Sequence, residues 1–445
     1  MTFRLRFVAV VGLLTLGVVA APAWAQNRPT KPERPYRGLF GGGSSARMEQ
    51  ALTLSVSLGG GYDTNIQPNV GVPGEADPGP ASREDGSFTY LVGDLTYTLN
   101  RNRFAFGAGF SANARYYPDI QEGLLATYSG SISESFQFTK RTSLNAYQTV
   151  AYQPFYAFVP FPPLFAPDLG EVISPETDFR AAETDSLLYT ASASVNHGLS
   201  RRASLIGRYS YTFNDLGSDE LDIAYHYAES RLSYTLTRDL AARVGYGYGR
   251  SDAVNEQDQD LISTHLIDAG LDFNRALSLT RKLKLSFNAG VTGTRDDETT
   301  HYAIIGGARL DREIGRSWNA SLAYDRNVGF TPPFREPLLY DSLTFMFDGM
   351  ISRRLQFHST AAAVYGNVGL EEGDKFSTYY TTTGISYGLS RSLGLGIDYT
   401  FYRYSFDTVV LPEIRGGFLN RHSVRAYLTY WLPLIHRARR ADATR

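Results

Sequence analysis

Cysteine is absent from the 445 residues, methionine occurs only four times, and beyond the first two dozen positions no apolar run is long enough to make a membrane helix. The missing thiol excludes disulfides, thiolate nucleophiles and cysteine-ligated metals. Neither charge sign dominates, with 43 basic against 45 acidic residues, so the basic footprint of a nucleic-acid partner is missing. Seven histidines are scattered singly, with no HExxH and no spacing that suggests a His-Asp-Ser set. The carboxylates at Asp296, Asp297 and Glu298 and at Glu371 and Glu372 fall between expected strands. This inventory predicts no enzyme, no cofactor and no metal.

What is present is glycine, tyrosine and phenylalanine, at 42, 30 and 26 residues, a composition that favours sheet. Arg4 and Arg6, the apolar run from Phe7 to Ala21, and Ala23-Trp24-Ala25 form the three parts of a secretory signal, so residues 1–25 are expected to be removed. Loss of two arginines leaves 41 basic against 45 acidic residues, a mature net charge of −4. Residues 26–49, rich in Pro, Arg and Gly, read as a periplasmic linker. Their Gly41-Gly42-Gly43-Ser44-Ser45 lacks the strand and GK[ST] of a phosphate cradle.

From there, apolar residues recur at every second position. Leu52, Leu54, Val56, Leu58 and Tyr62 share one face, and Thr53, Ser55, Ser57, Gly59, Gly61 and Asp63 share the other. The pattern returns at Phe104 to Phe110 and at Leu393 to Phe401. Short turns of one kind punctuate it: LNRNRF from Leu99, FTKRTSL from Phe138, LSRRASL from Leu199, LTRDLAA from Leu236, ISRRLQF from Ile351 and LSRSLGL from Leu389. Longer connections rich in Pro, Gly, Asp and Asn alternate with these turns. Such asymmetry predicts an all-β fold, a transmembrane antiparallel up-and-down β-barrel of about 18 strands, with short periplasmic turns and longer extracellular loops. The barrel spans 50–434, between strands at 50–63 and 418–432, and a basic periplasmic tail covers 435–445. Strands of about thirteen residues exceed those of a propeller or solenoid, and Tyr116, Tyr117, Tyr246, Tyr248, Trp318, Tyr402, Tyr404, Tyr430 and Trp431 near strand ends suit interfacial girdles.

Assigning the apolar set to lipid leaves Asp94, Arg115, Arg208, Glu229, Arg231, Arg243, Asp272, Lys284, Arg309, Asp311, Asp325, Asp348, Asp398 and Arg425 as candidates to line the lumen. Glu134 breaks the pattern by sharing a face with Ile132 and Phe136, which suggests a local bulge. Inward Gly107, Gly109, Gly245 and Gly247, with Ser131, Ser133, Ser192 and Ser194, suggest space, and a barrel of this size is expected to hold water. Tyr90, Tyr147 and Trp431 offer stacking surfaces for sugars. The segment from Phe155 to Glu183 is either a loop folded into the mouth or a flap on the rim.

The stretch LSVSLGGGYDTNIQPN from Leu54, with Gly60, Tyr62, Asp63, Thr64 and Asn65 matching a Gly-x-Tyr-Asp-[ST]-Asn element at the end of the first strand, resembles the β-barrel porin 2 family of outer-membrane proteins. That resemblance implies a role in exopolysaccharide secretion. The basic continuation past Trp431 departs from barrels that end on an aromatic insertion signal. The functional expectation is a channel for hydrophilic solutes in the bacterial outer membrane, which the resemblance narrows to an exopolysaccharide-export porin; the alternative is a non-conducting structural or adhesive barrel whose loops bind a partner. Expected partners are outer-membrane lipid and lipopolysaccharide, the barrel-insertion machinery, and a polysaccharide cargo with its periplasmic export partners.

Overall fold

A computed structural model describes residues 48–64, 85–118, 124–153, 186–215, 222–254, 261–276, 283–295, 300–315, 317–329, 338–368, 375–406 and 417–438. Residues 1–25, expected as a signal segment, most of the expected linker, the stretch Phe155–Glu183 and the last seven residues lie outside them. Eighteen strands follow one another in the order β1 (Met48–Asp63), β2 (Gly86–Asn100), β3 (Phe104–Tyr116), β4 (Leu124–Gln137), β5 (Thr142–Gln153), β6 (Ser186–Gly198), β7 (Ala203–Asp215), β8 (Asp222–Thr235) and β9 (Leu240–Val254). They continue as β10 (Leu261–Ala276), β11 (Leu283–Arg295), β12 (Thr300–Ile314), β13 (Trp318–Gly329), β14 (Leu338–Met350), β15 (Leu355–Val368), β16 (Lys375–Gly388), β17 (Leu393–Phe406) and β18 (Gly417–Ala438).

Each strand pairs antiparallel with its neighbours in sequence, and β18 returns to β1, from Asp63 opposite Ser423 down to Met48 opposite Ala438. The ladder is therefore closed. Closure leaves no strand edge to satisfy, which is the condition for placing a sheet in hydrocarbon.

The short turns hold themselves. In the turn between β6 and β7, Ser200 Oγ accepts the backbone N–H groups of Arg202 and Ala203 at 3.1 and 3.0 Å. Thr139 does the same for Arg141 and Thr142, Ser352 for Arg354 and Leu355, and Ser390 for Ser392 and Leu393. The hydroxyl substitutes for a backbone partner where the chain reverses, while the basic side chains that follow it stand exposed. That is the physical content of the repeated polar-then-basic motif.

Two expectations need correction. The register around Glu134 runs unbroken, opposite Phe106 on one side and Ala146 on the other, so no bulge turns it inward. It faces outward three residues from the end of β4, where an acidic group near the interface costs far less than at mid-depth. The last strand does not stop at 432 but runs through Ala438. Pro433, which has no N–H to give, sits opposite Thr53 at a register shift, after which Ile435 resumes pairing with Leu52.

Replacing Ser200, Ser352 and Ser390 together by Ala is expected to lower unfolding free energy by about 1 kcal/mol per turn. Urea titration of the barrel in phospholipid vesicles measures it, and an unchanged midpoint would show that the backbone alone shapes the turns.

Candidate functional site: the inner wall

Parity in the ladder separates two faces. On one, Leu58, Phe110, Ile132, Val244, Ile267, Ile397 and Leu428 are exposed, and comparable residues follow around the whole ring. On the other, Asp63, Arg115 and Arg421, from β1, β3 and β18, converge on one another and are buried, which marks it as concave. A soluble protein does not surround itself with a continuous apolar band; a bilayer supplies the missing partner. The chain is a β-barrel of the outer membrane.

The register puts all fourteen lumen candidates on the concave face, and the structure gathers most of them into clusters. Arg208 pairs with Glu229 at 3.3 Å, and Tyr227 donates to that carboxylate at 2.8 Å. Asp268 bridges Arg231 at 3.1 Å and Arg243 at 3.0 Å, and Arg243 also reaches Asp272. Arg309 binds Asp311 at 2.8 Å, while Lys284 stands opposite Asp311 with its side chain exposed. Asp398 lies between His358 at 3.3 Å and Arg425 at 3.4 Å. Asp94 accepts from Ser111 at 2.7 Å and Asp348 from Asn319 at 3.3 Å. One oxygen of Asp325 has no hydrogen-bond partner among the described residues.

Arg115 belongs to a cluster that single-strand reading does not reveal. Asp63, fully buried, accepts from Tyr117 at 2.6 Å and from Arg421 at 2.6 Å, and pairs with Arg115 at 3.3 Å. Phe88 carries the Arg115 guanidinium on its face at 4.4 Å. Burial pushes the Tyr117 phenol, just past the end of β3, up to about 12, so it stays a donor at neutral pH. The missed members Asp63, Asp268, His358 and Arg421 had the same period-two signal as the fourteen. Their pairings depend on register between strands.

Several aromatic assignments change. Tyr117 and Tyr402 are buried inside and are not girdle residues, and Tyr90 packs beside Phe88 at 5.9 Å, which removes it from contact with a solute. Inward glycines are also not empty space. The Tyr427 ring lies on Gly396, where a Cβ would collide with it, and Tyr227 covers Gly247, its hydroxyl 2.6 Å from where a Cβ would stand.

Beside the charged strands lies a neutral wall. The inward positions of β4, β5 and β6 include Thr127, Ser129, Ser131, Ser133, Ser135, Ser143, Asn145, Thr149, Thr190, Ser192, Ser194 and Asn196, with no Asp, Glu, Lys or Arg among them. Tyr147 rises from the middle of this wall, 47% exposed.

No family model matches the chain, and no curated protein matches it. Solved structures with a similar barrel include OpdO of Pseudomonas aeruginosa, at 14% identity and a TM-score of 0.43 over 87% of this chain and 98% of that one. P. aeruginosa OccK2 (OpdF), solved in complex with glucuronate, has 10% identity and a TM-score of 0.42 over 87% and 99%. OccAB4 of Acinetobacter baumannii has 11% identity and a TM-score of 0.42 over 88% and 100%. Likeness at this level assigns neither a family nor a cargo.

Asp63→Asn leaves two buried guanidiniums without their anion and is expected to destabilise by about 3–5 kcal/mol. The urea midpoint in vesicles reads this, with Ser57→Ala as the matched control expected within about 1 kcal/mol.

Proposed function

We propose that the chain is a diffusion channel for hydrophilic solutes, in which neutral polyhydroxylated molecules travel along the wall of β4, β5 and β6. The observation that carries the reading is that inward side chains remain open to solvent: Tyr147 is 47% exposed and Leu188 40%, and the Asp272 and Asp311 side chains are 38% and 40% exposed. A lumen filled by its own ion pairs would bury them. Eighteen strands also give a ring wide enough that side chains do not meet at the centre.

The chemistry is non-covalent. Serine, threonine and asparagine groups exchange hydrogen bonds with a hydroxyl-rich solute as it sheds part of its water. The exposed Tyr147 ring offers an apolar face to the C–H side of a sugar. Charge selectivity comes from the mixed sector between β7 and β14, where each arginine is held beside a carboxylate and the net field is modest. Passage of a polysaccharide chain is the finer reading, and it draws on the likeness at Gly60 to Asn65 alone. It would bring periplasmic export partners with it, as folding brings the barrel-insertion machinery.

Single-channel conductance of the mature chain in a planar bilayer tests the reading, with neutral and charged oligosaccharides of increasing length added. Stable steps blocked by neutral sugars support it; a correctly inserted but silent barrel sinks it in favour of a structural or adhesive role. Tyr147→Ala is expected to weaken sugar block about tenfold at unchanged conductance. Arg208→Gln, Arg231→Gln and Arg243→Gln together are expected to shift reversal potential towards cation preference, since Glu229, Asp268 and Asp272 remain. An unshifted potential would remove these residues from the ion path.

A further inference from the structure

One arrangement recurs three times on the lipid-facing surface. On β7, β9 and β17 two aromatic residues spaced by two point outward: Tyr209 and Tyr211, Tyr246 and Tyr248, Tyr399 and Phe401. In each case the next strand places a histidine opposite the second of them, with His226 across from Tyr211, His265 from Tyr248 and His422 from Phe401. The imidazole packs against that ring at centroid distances of 4.7, 5.1 and 4.9 Å. Its Nδ1 is hydrogen-bonded to the phenol of the first tyrosine at 2.8, 2.6 and 2.8 Å.

All three histidines occupy the fifth or sixth position of β8, β10 and β18, at the end of the barrel from which the longer connections leave. At the opposite margin the outward ring pairs include Phe104 with Phe136, Phe273 with Phe287 and Trp318 with Phe347, at 4.6, 4.8 and 4.9 Å. Tyrosine faces outward at both margins, with Tyr234, Tyr387 and Tyr430 near the short turns, but among the described residues the Tyr-His dyads stand at the margin of the longer connections.

In the tautomer that lets the phenol donate to Nδ1, Nε2 carries the N–H, and this is the tautomer on which the site is built. Ring packing and the phenol together fix its direction, so one N–H donor per dyad is left at the lipid headgroup level. Arg250 stands directly across from His226, and Arg403 follows Phe401 by two residues on the same outward face. Below the dyads the outward surface is largely apolar, with Ile267 and Leu271 under His265, Val424 and Leu428 under His422, and Ala228 and Leu232 flanking Ser230 under His226. A ligand that fits has acyl chains for that surface and anionic oxygens for the donors above it.

We propose that the three Tyr-His dyads are headgroup sites for a phosphorylated glycolipid of the outer leaflet, each histidine Nε2–H donating to a phosphate oxygen. The barrel carries its own contrast. Between β13 and β14 the same plan is built with Asp341 in the histidine position: Tyr324 donates to it at 2.5 Å and Arg326 pairs with it at 2.9 Å. There the carboxylate takes up the neighbouring donors and would repel a phosphate.

The test compares wild type with a His226→Phe, His265→Phe, His422→Phe variant, which keeps the ring packing and removes the donors. Folded, delipidated barrel is titrated with bisphosphorylated lipid A, its dephosphorylated form and phosphatidylglycerol, and bound lipid is counted by native mass spectrometry. Wild type is expected to bind the bisphosphorylated lipid about tenfold or more tightly than either other lipid, and the triple variant to lose that preference. Equal binding of all three lipids by wild type, or an unchanged preference in the variant, overturns the proposal. Heat-dependent gel mobility reports folding; if the triple variant does not fold, the three single variants are measured by the same criterion.

Discussion

Everything in this molecule depends on the ring being shut. A backbone N–H or C=O in hydrocarbon has no water to turn to, so each strand must find partners on both sides. Seventeen of the eighteen pairings link strands adjacent in sequence and form by local reversal. The eighteenth, β1 with β18, joins residues separated by most of the chain. The buried Asp63 cluster lies across this seam, drawing Arg115 from β3 and Arg421 from β18 onto one carboxylate. Removing charges from water is costly, and a single anion shared by two guanidiniums and a phenol recovers that cost only when all four groups are in place. The seam is thus specific as well as closed.

Inside, the charges do not form one uniform field. They are held in local pairs on β7 to β12 and again near Asp398, and they leave β4 to β6 to hydroxyls and amides. Opposite charges held close together give short-ranged fields, so away from the wall the field of these pairs is weak. Outside, Phe and Trp pairs gather near the short turns, while the three Tyr-His dyads stand near the longer connections.

The strands were legible because period two is a strong signal when each strand has one face in lipid, and the polar-then-basic turns marked where it restarts. Pairings across strands were not legible. Asp268 and Asp272 both carry inward parity, but only the register shows that Arg231 and Arg243 meet at Asp268. Each histidine looked solitary because its tyrosine lies 17 to 23 positions away in the chain. Inward glycine in a sequence suggests room, but Tyr427 and Tyr227 lie on Gly396 and Gly247. Pro433 looked like the end of a strand; a one-residue slip lets the ladder pass it.

That slip has a topological consequence. Past Tyr430, where pairing with β17 ends, β18 continues alone along β1 until Ala438 meets Met48. At every other junction on that rim a short covalent turn joins the two strands; here a stretch of extra ladder takes its place, with the two chain segments side by side. A single turn between Ala438 and Met48 would make the ring cyclic. Splicing Ala438 to Met48 through a turn like that at Ser200, and cutting the chain in one of the longer connections, would give a circular permutant with the same wall and the same lumen, its ends moved to the other side of the membrane.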